Sequence, residues 1–122
     1  MSYPAVRIID ESGRITLPKI VFQEHEWDSG DEITISSMRG RIFLGLWKKH
    51  SGNRGYSIQQ PETHQSDNDT YYYTRSAIDE GGRITLSARI MEMHKCGPGD
   101  HIVFTGSTDG MIFMEVTGRG IL

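Results

Sequence analysis

The chain has 122 residues, a formal net charge of −3 and a single cysteine, Cys96. That length gives at most one ordinary domain, the charge argues against a strongly basic nucleic-acid binder, and the lone thiol excludes an intrachain disulfide and suits a reducing cytoplasm. No apolar run approaches a membrane span, and Met1-Ser2-Tyr3-Pro4 lacks the basic-then-apolar pattern of a signal peptide. A cytoplasmic protein with no membrane partner is expected.

Ala5-Val6-Arg7-Ile8-Ile9 is β-branched and partly alternating, which predicts a strand. Asp10-Glu11-Ser12-Gly13 reads as a turn, with aspartate and glycine in the roles turns need. Arg14-Ile15-Thr16-Leu17 is a second strand. Pro18 stands where a helix can begin, and a short helical segment runs from Lys19 to Trp27. Ser29-Gly30-Asp31 closes it. Glu32 to Ser36 is a third strand, Arg39-Gly40 a hairpin turn, and Arg41 to Trp47 a fourth strand.

After a polar stretch the pattern returns. "IDESGRITL" at Ile9 becomes "IDEGGRITL" at Ile78, an offset of 69 residues with one change, Ser12 against Gly81. Tyr72 to Ile78 is the matching first strand, Asp79-Glu80-Gly81-Gly82 the turn, and Arg83 to Leu86 the second strand. Ser87, a good N-cap, replaces Pro18, and Ala88 to Cys96 is the short helix. Pro98-Gly99 signals a type II turn. His101 to Thr105 is a strand, Asp109-Gly110 a strong hairpin signal, and Met111 to Thr117 the last strand. One inserted residue is needed in the second copy before Ile42-Phe43-Leu44 aligns with Ile112-Phe113-Met114.

The chain therefore reads as two tandem copies, residues 1–49 and 71–122, joined by a polar linker, residues 50–70. A unit of about fifty residues buries little surface and is marginal alone, so both copies are expected to share one core. Residues 1–49 carry seven Lys/Arg and seven Asp/Glu, so the first copy is the more cation-rich. The linker sets Arg54 against Glu62, Asp67 and Asp69, and the second copy sets five basic residues against six acidic ones.

Candidate chemistry is sparse. Asp10-Glu11 and Asp79-Glu80 form carboxylate pairs, but they lie in turns that use such residues for local hydrogen bonds. No nucleophile, Ser–His–Asp order or phosphate loop accompanies them, so an enzyme is not expected. His25 and His94 are equivalent positions, yet one cysteine and five scattered histidines give no zinc spacing. No metal and no cofactor are expected. Tyr71-Tyr72-Tyr73 reads as an aromatic strand packed on the core rather than a base-stacking platform. Lys48, Lys49, Arg39 and Arg41 read as a solvated hairpin and strand end.

The words "RIIDESGRITLPK", "SGDEITI" and "RIFLGLW", then "SAIDEGGRITLS", "PGDHIVF" and "MIFMEV", resemble the AbrB/SpoVT/MazE group of swapped-hairpin β-barrel proteins. The tandem organisation, with Asp-x-x-x-Arg at Asp10–Arg14 and Asp79–Arg83, also resembles MraZ, whose additional helices are not evident here. The resemblance implies a mainly β fold with short helices. In it, two tandem repeats form an intrachain pseudo-dimer, a covalent version of the homodimeric barrel. It implies a transcriptional regulator that binds double-stranded DNA, of a group that includes autorepressing antitoxins. The alternative is an AbrB-derived protein-interaction module without DNA binding. Homo-oligomers and a toxin or other protein are the further partners implied.

The resemblance assigns DNA contact to Arg7, Arg14 and Lys19 in the first copy, and to Arg75, Arg83 and Arg89 in the second. The bland reading of Arg14 and Arg83 is an ion pair with Asp10 and Asp79, four residues back. The helix departs from the group's pattern. Where relatives often place an Arg-Arg pair, this chain has Phe22-Gln23 and Met91-Glu92.

Overall fold

The computed structural model describes residues 3–38, 40–49 and 71–119. The predicted linker, residues 50–70, and Arg39 lie outside them. The elements are β1 (Ala5–Ile8), β2 (Arg14–Thr16), α1 (Lys19–His25), β3 (Glu32–Met38) and β4 (Arg41–Lys48). They are followed by β5 (Tyr71–Ala77), β6 (Arg83–Thr85), α2 (Ala88–Met93), β7 (Asp100–Thr108) and β8 (Met111–Arg119). The chain is mainly β, and among the described residues there are two short helices and every strand pair is antiparallel.

Six strands form one sheet in the order β1-β7-β8-β4-β3-β5, and β2 pairs with β6 in a separate two-stranded ribbon. The sheet does not close. β1 and β5 are its edges, so the expected barrel is replaced by an open sheet with a ribbon beside it. The physical reason is local. The chain turns at residues 10–13, which ends β1 at Ile8, and the three-residue strands that follow bond each other instead of bridging the two edges.

The pairing crosses between the halves of the chain. β1 runs against β7, with Ala5 opposite Phe104 and Arg7 opposite Ile102. β5 runs against β3, with Thr74 opposite Ile35 and Ser76 opposite Ile33. These registers coincide when the 69-residue offset is applied. In the ribbon Ile15 faces Ile84, its own counterpart. At the centre of the sheet Phe43 faces Phe113, with ring centroids 5.3 Å apart and edge to face. The inserted residue of the second copy has a structural identity. The β7–β8 register slips between Phe104 and Gly106, so Thr105 is a β-bulge, an extra residue absorbed without turning the strand over.

One core serves both halves. Ile33 and Ile35, Ile42 and Leu44, Ile102 and Phe104, and Ile112 and Met114 alternate along their strands and are fully buried, as the period of two requires. Ile15 and Ile84 from the ribbon, and Val21 and Ile90 from the helices, complete the same cluster. Ser87 caps α2 through an Oγ that accepts the Ile90 amide at 3.1 Å. Pro18 occupies the N-cap of α1 with an extended backbone and no side-chain cap, one position earlier than expected. Among the described residues no helix is long and apolar enough to cross a membrane.

Candidate nucleic-acid interface

The two Asp-x-x-x-Arg turns are built identically. The Asp10 carboxylate accepts the Ser12 and Arg14 amides at 2.8 and 2.9 Å, and its second oxygen accepts Arg14 Nε at 3.1 Å. Asp79 accepts the Gly81 and Arg83 amides at 2.9 Å each, and Arg83 Nε at 3.1 Å. An aspartate at the head of a turn satisfies amides that the reversing chain cannot pair with itself. Gly13 and Gly82 take φ of +81° and +79°, where a side chain is strained.

The ribbon locks these turns to one another. Leu17 N–H donates to the Gly82 carbonyl at 2.9 Å, and Leu86 N–H donates to the Gly13 carbonyl at 2.8 Å. Arg14 Nη1 lies 3.8 Å from Asp79 Oδ2 across the junction. The sequence-predicted residues Arg14 and Arg83 therefore share one cluster with Asp10 and Asp79, their side chains 34% and 37% exposed. Hydrogen bonding holds both carboxyls below the usual aspartate range. The backbone N–H of Arg14 or Arg83 is the first cause, opposed by some desolvation. The second amide and the arginine charge add to it.

The turn ion pair that competes with DNA contact is thus present. It does not exhaust the arginine. Nε is committed to aspartate, and a guanidinium carries five N–H donors in a planar fork. The aspartate engages Nε and so constrains the plane of that fork. Electrostatics work against an anion, because the two turns carry four carboxylates, Asp10, Glu11, Asp79 and Glu80, against two cations.

The other predicted residues have different settings. Arg7 on β1 donates from Nη1 to its neighbour's carbonyl, that of Val6, at 2.8 Å. Lys19 is exposed at the start of α1. Arg75 lies over the Trp47 ring, 4.6 Å from its centroid. Arg89 lies over Tyr72 at 5.5 Å. Such cation–π seats hold a guanidinium in place.

Lys49 is a correction to the sequence reading, which placed it on a solvated strand end. Its Nζ lies 2.6 Å from Asp31 Oδ2, a side chain 1% exposed, and also donates to the Glu26 carbonyl at 2.8 Å. Burial alone pushes the ammonium pKa down. The hydrogen bond and charge of Asp31, then those of Asp28, outweigh it and raise the pKa. No sequence word carried the signal, since the burial of Asp31 and its need for a cation arise only once the strands pair. His94, read as a satisfied histidine, makes a 2.7 Å hydrogen bond with the Oγ of buried Ser37.

No family model matches this chain, and no curated protein sequence does. A solved structure, "The solution structure of PHS018 from pyrococcus horikoshii", is similar over 94% of this chain and 88% of that chain. The sequence identity is 13% and the TM-score 0.46. A similarity of that size bears on neither the fold nor the function of this chain.

Proposed function

We propose that this chain is a small regulator of the AbrB-like, swapped-hairpin type that binds duplex DNA through its two arginine turns. The observation that carries the reading is the reciprocal junction of those turns. Leu17 and Leu86 bond across it, and Arg14 and Arg83 take equivalent seats on Asp10 and Asp79. Two equivalent arginines related by an approximate twofold can meet two strands of a duplex, whose half-sites are likewise related by a twofold. Each guanidinium fork suits guanine O6 and N7, or a phosphate, as a bidentate partner. Arg7 and Lys19 in one half, and Arg75 and Arg89 in the other, supply flanking charge.

The halves differ in charge, so the operator is expected to be an imperfect palindrome. Few cations and many carboxylates mean weak non-specific affinity, because phosphate contacts supply most of it. A gel shift with the DNA upstream of the protein's own gene, at two salt concentrations, tests the reading. Specific binding that salt weakens is expected. Replacing Arg14 and Arg83 together by alanine should abolish it while leaving the melting temperature within a few degrees. A double variant that binds as the parent does would reduce these arginines to turn partners.

A second reading, an AbrB-derived protein-interaction module of the antitoxin kind, is favoured by one observation. The edge strand β1 exposes two large apolar side chains on one face, Val6 at 50% and Ile8 at 57%. An unpaired strand edge is a template for another chain. Failure of every DNA probe, together with capture of a defined toxin or of a second copy, would favour this reading.

A further inference from the structure

The described cations are mostly engaged. Arg14 and Arg83 sit on aspartates, Lys49 on Asp31, and Arg75 and Arg89 on aromatic rings. Arg41 and Lys95 differ. Both are exposed, and neither has an ion-pair partner within 4.0 Å among the described residues. They also line the same groove. It is an open depression of about 560 Å³ between the end of α2 and the β3–β4 hairpin, walled by Arg41, Met93, His94, Lys95, Glu115 and Val116.

The backbone builds this groove. Lys95 follows α2 with φ of +55°, and Gly40 turns the hairpin with φ of +81°. His94 forms part of the wall and is held by the 2.7 Å hydrogen bond to Ser37, itself only 3% exposed. The groove takes Arg41 from the first half and His94 and Lys95 from the second, and the equivalent positions of the repeat lack this chemistry. The positions matching Arg41, His94 and Lys95 hold Met111, His25 and Glu26. The histidine is common to both sets, while the two cations are matched by an apolar residue, Met111, and an acidic one, Glu26.

We infer that this groove binds a phosphate group, gripped by the Arg41 fork and the Lys95 ammonium with His94 beneath. Arginine meets phosphate as a planar bidentate donor, and lysine adds a mobile point charge. Glu115 opposes the ligand, so Arg41, Lys95 and Glu115 together leave one net positive charge. Half-burial holds the His94 imidazole pKa below its ordinary value. A phosphate dianion reverses that balance. Binding it favours the protonated imidazole, so the His94 titration moves upward in the complex. The groups facing His94 are Ser37 from β3, Arg41 from β4, Lys95 beside it and Glu115 from β8. None of the other three acidic or basic neighbours is itself buried.

The test follows the His94 ring proton by NMR while inorganic phosphate is added at constant ionic strength, with chloride as the control. A saturable shift with phosphate alone is expected, with the His94 titration moved upward. Arg41→Gln and Lys95→Gln should each weaken binding about tenfold, and Glu115→Gln should tighten it. Thermal melts confirm that these surface variants stay folded. A nucleoside monophosphate and a short duplex of equal phosphate content identify the source. Competition by the mononucleotide marks a free ligand, and competition by the duplex alone marks a DNA backbone. The inference fails if chloride reproduces the shift, or if Arg41→Gln and Lys95→Gln bind as the parent does.

Discussion

Replacing Lys49 by methionine removes one partner of a charge pair whose other partner has nowhere to go. Asp31 is 1% exposed, and Lys49 Nζ stands 2.6 Å from its Oδ2. The carboxylate keeps the Asp28 amide at 2.9 Å but loses the Lys49 ammonium. Breaking a fully buried pair costs about 3–5 kcal/mol, because the survivor remains desolvated. Lys49 is 23% exposed, so water reaches the gap and the cost falls to about 2 kcal/mol. For a chain of this size that corresponds to about 8 °C in melting temperature. Adding Asp31→Asn removes the buried charge, and the double variant should recover roughly half of the loss, a non-additivity typical of residues in contact. Thermal or urea melts of the four proteins measure the cycle. A Lys49→Met protein within about 0.5 kcal/mol of the parent would make this an ordinary surface pair and refute the reasoning.

Gly13→Ala should lower stability by about 1–2 kcal/mol through its positive φ. It should cost more than Gly110→Ala, since a Cβ at Gly13 meets Met91 Cε at 3.2 Å whereas Gly110 faces open space; equal losses in urea melts would contradict the contact. Acid should act through the turns. The folded pKa values of Asp10 and Asp79 lie below the ordinary 3.8, so their contribution is present above that value and disappears as pH falls through the lowered folded values. Asn at both positions should flatten the stability–pH curve below pH 4. His94 has a lowered folded pKa, so stability is full above its ordinary 6.5 and declines as pH falls below it. His94→Gln should remove that decline. Finally, residues 1–49 and 71–122 made separately should be unfolded or should associate, which sedimentation and circular dichroism would report. Two separately stable monomers would contradict the shared core.

The elements were legible in the sequence because their signals are local. Asp-Gly at 109–110, Ser87 as a cap and the alternation of Ile33 with Ile35 each act within a few residues. What was not legible depends on where distant chain segments meet. Lys49 and Asp31 look like two unrelated surface charges until β3 and β4 pair and set Lys49 against the turn. The open sheet was equally hidden. Whether β1 and β5 join an adjacent strand or end the sheet depends on where β2 and β6 find their hydrogen bonds. Those strands are three residues each, too short for any pattern to show which neighbour they choose. The Thr105 bulge was visible only as an alignment gap.

The site was half legible for the same reason. The Asp10–Arg14 spacing announces a turn with an ion pair, and the structure has one. That the turns meet is a property of the ribbon, and the ribbon also accounts for the near-identity of the two nine-residue words. In β2–β6 Ile15 faces its counterpart Ile84, while Arg14 and Thr16 each face the counterpart of the other, Thr85 and Arg83. Both strands must satisfy one geometry from opposite sides. A change in either word alters the surroundings of the other. Positions away from the junction carry no such reciprocal demand. There the halves diverge, with Trp27 against Cys96, Glu26 against Lys95 and Met111 against Arg41. Shared architecture is therefore written where the halves touch, and distinct chemistry where they do not. The groove of Arg41 and Lys95 lies in the second class, so its function is the one to seek in the differences between the halves.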